Sequence, residues 1–309
     1  MPAPRRSDFL SLYVSPSSAF LSIYRPYQRA KYVILGVPYD ATASFRTGAR
    51  FAPSSIREAS LNLESYSLLS HIDVEEVPFC DLGNIDTVQD PEQMVRRVEE
   101  CVRQIRKDNK IPILLGGEHT ITLGALKAIV YPKGEGGPKL PLFFVAFDAH
   151  ADMRDEYLGQ KVCHATVLRR IAELVGYENV FLVGTRAFSK EEIEFVRTHG
   201  IRYVTPDNIR EMGVDRVLES IRYASIGHTR IYLSIDMDVL DPAYAPGVET
   251  PEPCGLSPRE LLSLLQGLCG SKVVGVDIVE VAPHYDNGLA ALHAAKVLLE
   301  VLGFLEQAI

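Results

Sequence analysis

Continuous apolar runs, rich in β-branched residues, alternate along the chain with longer amphipathic stretches. Apolar runs without polar interruptions are typical of strands in a parallel sheet that helices cover on both faces. They predict strands at Tyr32–Gly36, Ile111–Gly117, Leu140–Asp148, Asn179–Thr185, Arg230–Asp236 and Val273–Val281. The amphipathic stretches predict helices at Glu92–Asn109, Ala165–Val175, Lys190–Thr198, Asp207–Tyr223, Pro258–Leu268 and Leu289–Glu306.

This alternation predicts an α/β fold, a three-layer α/β/α sandwich around a mostly parallel sheet of about eight strands. No repeat, low-complexity segment or Pro/Ser-rich linker divides the chain, so we expect its 309 residues to form one domain. In such sheets the ligand site lies beyond the carboxyl ends of the strands. The residues that follow each strand are therefore where chemistry is expected.

Composition and charge exclude several classes of protein. The formal net charge is −8 and no run of Lys or Arg is long, which argues against nucleic acid as a partner. The five cysteines include no Cys-x-x-Cys pair, which favours a reducing cytoplasm over disulfides or structural zinc. No apolar run approaches the ~18 residues of a membrane helix. Arg5 and Arg6 are not followed by the apolar segment of a signal peptide.

Three of the predicted strands end in carboxylate and imidazole side chains. The groups are His119, then Asp148 with His150 and Asp152, and finally Asp236 with Asp238. Alternate residues of an extended chain point to the same side, so each group directs its side chains at one point. One such group alone is usually a turn or a cap. Three coincident groups have no common structural explanation, because buried carboxylates without partners are costly.

These side chains predict a site for two divalent metal ions. Oxygen and imidazole ligation without cysteine suits Mn²⁺ or Fe²⁺. Four carboxylates around a single ion would leave excess negative charge, which two ions with bridging carboxylates neutralise. Two ions about 3.5–4 Å apart also lower the pKa of a bridging water, which yields hydroxide near neutral pH.

The motifs GGEHT, FDAHAD and SIDMDVLDPAYAPG resemble the three signature motifs of the arginase/agmatinase (ureohydrolase) superfamily, in the same order. The resemblance extends from about Tyr32 to the C-terminus and implies the α/β/α sandwich, two Mn²⁺ per chain and a homo-oligomer, a trimer or hexamer. One ion would be held by His119, Asp148, Asp152 and Asp236. The other would be held by His150, Asp148, Asp236 and Asp238, with Asp148 and Asp236 bridging.

Two further residues carry over from this resemblance. KVCHATVLRR resembles the segment that bears a proton-shuttling histidine, here His164, and VGVDIVEVAP the segment whose glutamate binds the substrate guanidinium, here Glu280. The implied reaction is attack of a metal-bridging hydroxide on the guanidinium carbon, which releases urea and an amine. Asp152 would pass a proton to the departing nitrogen, and His164 would exchange protons with solvent. The structural alternative for His164 is an imidazole that caps a helix or faces solvent. The structural alternative for Glu280 is an ordinary ion pair.

The substrate is expected to be a small cationic guanidino compound. DMRDEY and APGVETPEPCGLS resemble the agmatinase branch, which hydrolyses agmatine to putrescine and urea, a step of polyamine biosynthesis. Where arginases carry an Asn that helps bind the amino-acid carboxylate, this chain has Arg154, followed by Asp155 and Glu156. The acidic pair favours a ligand that ends in an ammonium, whereas Arg154 is able to attract a carboxylate.

Two departures from the family pattern bear on the substrate. Glu249 replaces a glycine of the Gly-x-Gly-Thr-Pro segment, beside Thr250, and Cys163 stands where many agmatinases have Ser. We expect Glu249, Thr250 and Arg154 to contact the substrate together with Glu280. The alternative functions are an arginase or another guanidino-acid ureohydrolase. More distant alternatives are a one-zinc amide deacetylase and a family member that binds metal without turnover.

Overall fold

The protein is described by a computed structural model over residues 9–15 and 17–307, so Arg5 and Arg6 lie outside the described residues. The strands are β1 (Val14–Ser15), β2 (Tyr32–Gly36), β3 (Tyr66–Ser67), β4 (Ile72–Asp73), β5 (Phe79–Ile85), β6 (Ile111–Leu115), β7 (Phe143–Phe147), β8 (Val180–Val183), β9 (Arg202–Val204), β10 (Ile231–Asp236) and β11 (Val273–Val279). The α-helices are α1 (Ala52–Ser60), α2 (Pro91–Lys107), α3 (Ile121–Val130), α4 (Val167–Val175), α5 (Lys190–His199), α6 (Pro206–Met212), α7 (Val214–Ala224), α8 (Pro258–Leu268) and α9 (Leu289–Gln307).

Within the described residues the main sheet has nine strands in the order β1-β5-β2-β6-β11-β10-β7-β8-β9, and β3 pairs with β4 separately. Only the edge strand β1 is antiparallel to its neighbour in this sheet. The mostly parallel α/β architecture is confirmed, with nine strands in place of about eight. The central strands β6, β11, β10 and β7 are adjacent, so their carboxyl ends lie side by side.

Helices cover both faces of the sheet because its strands are apolar on both sides. Successive residues of β2 point to opposite faces, with Val33 in one hydrophobic cluster and Ile34 in the other. The cluster around Ile34 includes residues of α1, α8 and α9, and the cluster around Val33 includes residues of α2, α3 and α4. These two cores hold the central strands, and hence the loops that follow them, in fixed positions.

The structure corrects the predicted elements at several places. The predicted helix Asp207–Tyr223 is two helices, because Gly213 between α6 and α7 has φ +83°. Strand β5 was not predicted, since Asp81 and Asn84 interrupt its apolar run. Helix α3 was not predicted either, because it is buried on every side and carries no amphipathic period.

Candidate active site

The predicted metal ligands and Glu280 meet at the carboxyl ends of the four central strands. His119 follows β6, Asp148, His150 and Asp152 follow β7, Asp236 and Asp238 lie at the end of β10, and Glu280 follows β11. These strands are parallel neighbours, so residues more than a hundred positions apart in sequence occupy one small volume. The topology explains why motifs that are separate along the chain form one site.

His119, Asp148 and Asp236 form a first group with the geometry of a metal site, one ligand atom of each lying within 4.8 Å of the others. His119 Nδ1 is 3.0 Å from Asp148 Oδ2 and 3.5 Å from both Asp236 Oδ2 and Asp152 Oδ2. The Nδ1 of His119 and the Oδ2 of Asp148 are buried and have no hydrogen-bond partner. Such orphaned atoms are rare in folded proteins, and a cation between them would satisfy both.

Asp148, His150 and Asp238 form a second group, so Asp148 belongs to both. His150 Nδ1 lies 2.8 Å from Asp238 Oδ2 and 3.8 Å from Asp148 Oδ1. The Ala149 N–H donates to Asp238 Oδ1 at 3.0 Å and the Thr250 hydroxyl to Oδ2 at 3.2 Å, which fixes this carboxylate. Two groups that share a carboxylate fit a pair of ions better than a single ion.

A buried hydrogen-bond chain orients the ring of His119. Its Nε2 lies 2.9 Å from Ser234 Oγ, and the Ser234 hydroxyl donates to Asp277 Oδ1 at 2.6 Å. The Tyr232 hydroxyl donates to the other oxygen of Asp277 at 2.8 Å. These hydrogen bonds leave Nδ1 of His119 directed at the carboxylates, as the hydrogen-bond partners of metal-ligating histidines commonly do.

The charges of the two groups are not balanced by the chain. Burial raises the pKa of Asp148 to about 7, and the neighbouring Asp238 and Asp152 act in the same direction. Burial together with Asp238 and Asp148 raises the pKa of Asp236 well above its usual range. Burial would lower the pKa of His150, but Asp238 raises it to about 10. These shifts show carboxylates crowded in a low dielectric, an environment that fits bound cations.

Asp152 and Glu280 share an unusual backbone conformation. Their φ angles are +48° and +68°, in the left-handed region that costs a non-glycine residue about 1–3 kcal/mol. The carboxylate of Glu280 accepts a hydrogen bond from the His119 N–H at 2.5 Å, which places it directly behind the first group. Strain at both of these predicted site residues indicates that the fold holds their side chains for a purpose other than stability.

Glu249 lies against Glu280 rather than in the open cavity. It is 2% exposed, one of its oxygens accepts from the Ala49 N–H at 3.0 Å, and the other oxygen has no hydrogen-bond partner. Burial raises the pKa of Glu249 to about 8, and the nearby Glu118 and Asp40 contribute to that rise. The structure therefore adds a second buried carboxyl group beside the predicted guanidinium clamp.

His164 is held by hydroxyl groups that the sequence did not point to. Its Nδ1 lies 3.2 Å from Thr42 Oγ1 and its Nε2 lies 3.0 Å from Ser44 Oγ. Thr42 contacts the buried Glu118, whose pKa burial raises to about 7 against the hydrogen bonds of Thr120 and Thr42. Burial lowers the pKa of His164. The loop after β2 carries no motif of its own, so only the fold shows its contact with the imidazole.

A cavity of about 670 Å³ opens onto this cluster, and its wall includes Ser44, His150, Asp152, Tyr157, His164 and Thr250. Arg154 also lines it, 3.7 Å from the carboxylate of Glu192 and stacked over the ring of Tyr157. Asp155 and Glu156 do not line it. The carboxylate of Asp155 instead forms ion pairs with Arg170 at 2.8 Å and Arg169 at 3.5 Å. The expected role of the acidic pair in contacting the substrate finds no support in this arrangement.

Comparison with known proteins agrees with the geometry. The model of the arginase family matches residues 30–303. The chain belongs to the arginase family. The N(1)-aminopropylagmatine ureohydrolase of Thermococcus kodakarensis is 40% identical over 89% of this chain and 91% of that protein. The agmatinase of Halalkalibacterium halodurans is 37% identical over 89% of this chain and 92% of that protein. The agmatine ureohydrolase structure of Thermoplasma volcanium is 39% identical, with a TM-score of 0.86 over 95% of this chain and 96% of that one.

Membership fixes the class of the protein. The chain is an agmatinase-like ureohydrolase of a metal-dependent family, and its two ligand groups are candidates for that metal.

Among the residues that the structure describes, no helix combines the length and the hydrophobicity that a membrane span needs.

Proposed function

We propose that the protein hydrolyses agmatine to putrescine and urea with two Mn²⁺ ions per chain. The observation that carries this proposal is the pair of ligand groups that share Asp148, next to an open cavity that His150 and Asp152 line. The relatives named above act on agmatine or on an aminopropyl derivative of it, according to their names. Assembly into trimers or hexamers is part of the same proposal, through the family resemblance.

The predicted ligands fit two divalent ions. His119, Asp148, Asp152 and Asp236 would hold one ion, and His150, Asp148, Asp236 and Asp238 the other. When bound, the ions supply an activated water as nucleophile and electrostatic stabilisation of the charge that develops on the substrate. Asp148 is shared by both groups in the structure, which supports its bridging role, whereas Asp236 belongs only to the first group.

The remaining steps fall to side chains of this protein. Glu280 would hold the guanidinium, because its buried carboxylate lies beside His119 and a cation there offsets the local negative charge. Asp152 would pass a proton to the departing nitrogen, a role supported by its position on the cavity wall, with its Oδ2 3.5 Å from His119 Nδ1. His164 lines the same cavity and would exchange protons with water there.

The charges in the cavity favour a substrate with a cationic tail. Two arginines among the described residues line the wall, and each of them already interacts with other groups of the protein. Arg154 faces Glu192 at 3.7 Å. Arg186 donates from all three of its nitrogens to backbone carbonyls, including that of Asp238 at 2.9 Å. Among the described residues of this wall the carboxylate of arginine would therefore meet no arginine without a partner, and it would lie among acidic side chains such as Glu192 and Glu252.

The test is kcat/KM of Mn²⁺-loaded protein for agmatine, N(1)-aminopropylagmatine, arginine, 4-guanidinobutyrate and guanidine, measured as urea release. We expect agmatine to exceed arginine by about 100-fold or more, since each 1.4 kcal/mol of unfavourable charge contact corresponds to about tenfold. A higher value for arginine or 4-guanidinobutyrate would contradict the assignment and identify Arg154 as the reader of a carboxylate. No urea from any of the five would contradict the reaction itself.

Glu249→Gly tests the buried carboxyl beside Glu280. If Glu249 supports guanidinium binding, the variant raises KM for every guanidino substrate, because the orphaned carboxylate oxygen no longer stabilises the cation. An unchanged KM would remove Glu249 from the substrate site and leave the reaction assignment intact. Thr250→Val is the companion variant, since it removes the hydroxyl that fixes Asp238 without adding or removing charge.

A further inference from the structure

The imidazole of His164 is held by two hydroxyl groups of one loop. Thr42 and Ser44, both in the segment after β2, contact its two ring nitrogens at 3.2 Å and 3.0 Å. Thr42 is buried, whereas Ser44 lines the cavity. The two ends of the imidazole therefore lie in different surroundings, Nδ1 against the protein interior and Nε2 against the cavity.

The hydroxyl of Thr42 has one proton and two acceptor lone pairs, and each of them has a partner. Its proton goes to Glu118 Oε1 at 2.5 Å. The backbone N–H of His164 donates to the same oxygen at 3.2 Å, which uses one lone pair. The remaining lone pair faces His164 Nδ1, also at 3.2 Å. The Thr120 hydroxyl, 3.5 Å away, gives its own proton to Glu118 Oε1 at 2.5 Å. The Thr42 hydroxyl is therefore able only to accept from the ring, so Nδ1 must carry a proton.

Glu118 is the acceptor that holds the proton of the Thr42 hydroxyl in a hydrogen bond. Its carboxyl group is fully buried and accepts three hydrogen bonds, from the Thr42 N–H at 2.8 Å and from the hydroxyls of Thr42 and Thr120 at 2.5 Å. In all three contacts Glu118 is the acceptor, with the Thr42 N–H on Oε2 and the two hydroxyls on Oε1. Turning the Thr42 hydroxyl toward the imidazole would give up such a bond.

We propose that Glu118 is a positioning residue that acts through the Thr42 hydroxyl to hold neutral His164 in the tautomer with its proton on Nδ1. The lone pair is then on Nε2, where the Ser44 hydroxyl and cavity water reach it. Nε2 is thus the atom that gains and loses protons during turnover. The catalytic consequence rests on the function proposed above, whereas the tautomer itself does not depend on it.

Several other charged groups face His164 and act on its protonation. The charge of Asp152 favours the imidazolium, while the histidines at positions 150 and 119 disfavour it. The ring of Tyr157 lies edge-on, with 6.0 Å between the ring centroids. These groups influence how readily the ring is protonated. Only the Thr42 hydroxyl and the Ser44 hydroxyl hydrogen-bond to the ring nitrogens among the described residues, so they decide which nitrogen holds the proton.

The decisive variant is Glu118→Gln. The Thr42 N–H is a fixed donor, so it takes the amide oxygen and leaves the amide NH2 facing the hydroxyls of Thr42 and Thr120. The Thr42 hydroxyl then accepts from the amide and is free to donate to His164 Nδ1. We expect the tautomer to invert, with the proton on Nε2.

The measurement is the ¹⁵N spectrum of histidine-labelled full-length protein at pH 8, with His164 assigned by its absence in His164→Asn. Loading with diamagnetic Mg²⁺ avoids the line broadening of Mn²⁺. Thr42→Val removes the acceptor for Nδ1, and Thr42→Ser is the matched control that keeps the hydroxyl. We expect the Nδ1–H form in wild type and Thr42→Ser, and its loss in Glu118→Gln and Thr42→Val. Melting temperature and bound metal are measured for each variant to detect misfolding.

Kinetics supply the second readout. Glu118→Gln and Thr42→Val should lower kcat by about 10- to 100-fold with little change in KM, a part of the ~10²–10⁴ that acid–base catalysis contributes. Thr42→Ser should recover most of that loss. An Nε2–H form in wild type, the same tautomer in Glu118→Gln, or equal losses in Thr42→Val and Thr42→Ser would overturn the proposal. Absence of urea release with the expected tautomers would contradict the proposed function alone.

Discussion

Two clusters of buried charged residues lie on the same sheet. They differ in whether the chain itself supplies partners for all of their charged groups. In the first, Arg57 of α1 pairs with Asp81 of β5, with side chains 0% and 1% exposed. Arg57 has five N–H groups, and all of them donate. Two go to Asp81 at 2.8 Å, and the others go to Asn84, Gly83 and the carbonyl of Pro53. This cluster is neutral and its donors are exhausted within the chain.

The second cluster, at the carboxyl ends of β6, β7 and β10, is left incomplete. Asp148, Asp236 and Asp238 form no ion pair with any Lys or Arg in the described part of the chain, where their ion-pair contacts are to the imidazoles of His119 and His150. A carboxylate oxygen of Asp148 has no hydrogen bond. Charged residues that are equally buried thus have two different roles in this molecule. A cluster that satisfies itself stabilises the fold, and one that does not is built to be completed by a ligand.

The largest expected effect comes from Asp148→Asn. Asp148 belongs to both ligand groups, so its amide should release both ions rather than one. Loss of water activation together with several kcal/mol of electrostatic stabilisation should reduce kcat/KM by at least about 10⁴-fold. The measurement is elemental analysis after dialysis, together with urea release. Retention of two ions with only a modest loss of activity would show that Asp148 does not bridge.

Asp81→Asn should do the reverse, with a large effect on stability and none on metal content. Removing one partner of a buried ion pair leaves the Arg57 charge uncompensated, which costs about 3–5 kcal/mol. The measurement is thermal unfolding followed by circular dichroism, with elemental analysis of the folded variant. If Asp81→Asn is as stable as wild type, the contrast between the two clusters fails. Asp73→Asn, on the short strand β4, is the control for a carboxylate without an ion pair in the described chain.

Added Mn²⁺ should raise the melting temperature of metal-free protein, because the ion binds the folded state. At a concentration 100 times the dissociation constant the expected gain is about 2.7 kcal/mol for one site. Mg²⁺ at the same concentration is the comparison ion. Asp148→Asn should abolish the gain, while Asp81→Asn should melt earlier but keep it. An equal response of wild type and Asp148→Asn would place the ion elsewhere.

Sequence reasoning found the incomplete cluster more easily than the complete one. Asp148 and Asp236 each end a continuous apolar run and His119 lies just past one, and the rule that parallel strands align their carboxyl ends is enough to bring such residues together. Arg57 and Asp81 carry no comparable signal. Asp81 lies in strand β5, which was not predicted because polar residues interrupt its apolar run. Its partner Arg57 comes from helix α1, which the pattern did not predict either.

The surroundings of His164 mark a second limit. The histidine itself was found through its motif, but its ring contacts come from Thr42 and Ser44, and Glu118, which accepts from Thr42, lies on a different loop. Hydroxyl residues in loops are common, and nothing in their spacing says which imidazole they reach. Likewise Asp155 next to Arg154 was expected to face the substrate, and the fold directs it to Arg170 instead. Contacts between loops depend on the tertiary structure. The ends of strands, by contrast, can be predicted from the pattern of apolar residues along the sequence.

The pH dependence of kcat should reflect the burial of His164. Burial lowers the pKa of this imidazole from its ordinary value near 6.5. Because the neutral ring accepts the proton, activity should persist as the pH falls to about 6.5 and decline only below that value. The measurement is kcat for agmatine between pH 5 and 8 in one buffer mixture. An acidic limb above pH 7 would contradict the prediction, and His164→Asn should remove the limb.

The smallest effect is expected from Asp155→Asn. The carboxylate of Asp155 lies at the surface, where it pairs with Arg169 and Arg170 and does not line the cavity. Exposed ion pairs of this kind contribute little, because water and salt screen them. The ratio of kcat/KM for agmatine to that for arginine should therefore stay within about twofold of wild type, which is within the scatter expected for a surface change. Glu192→Gln is the informative counterpart, because it frees Arg154 inside the cavity and should shift the ratio toward arginine. If Asp155→Asn changes the ratio tenfold while Glu192→Gln leaves it unchanged, the tail of the substrate is read at the surface and not in the cavity.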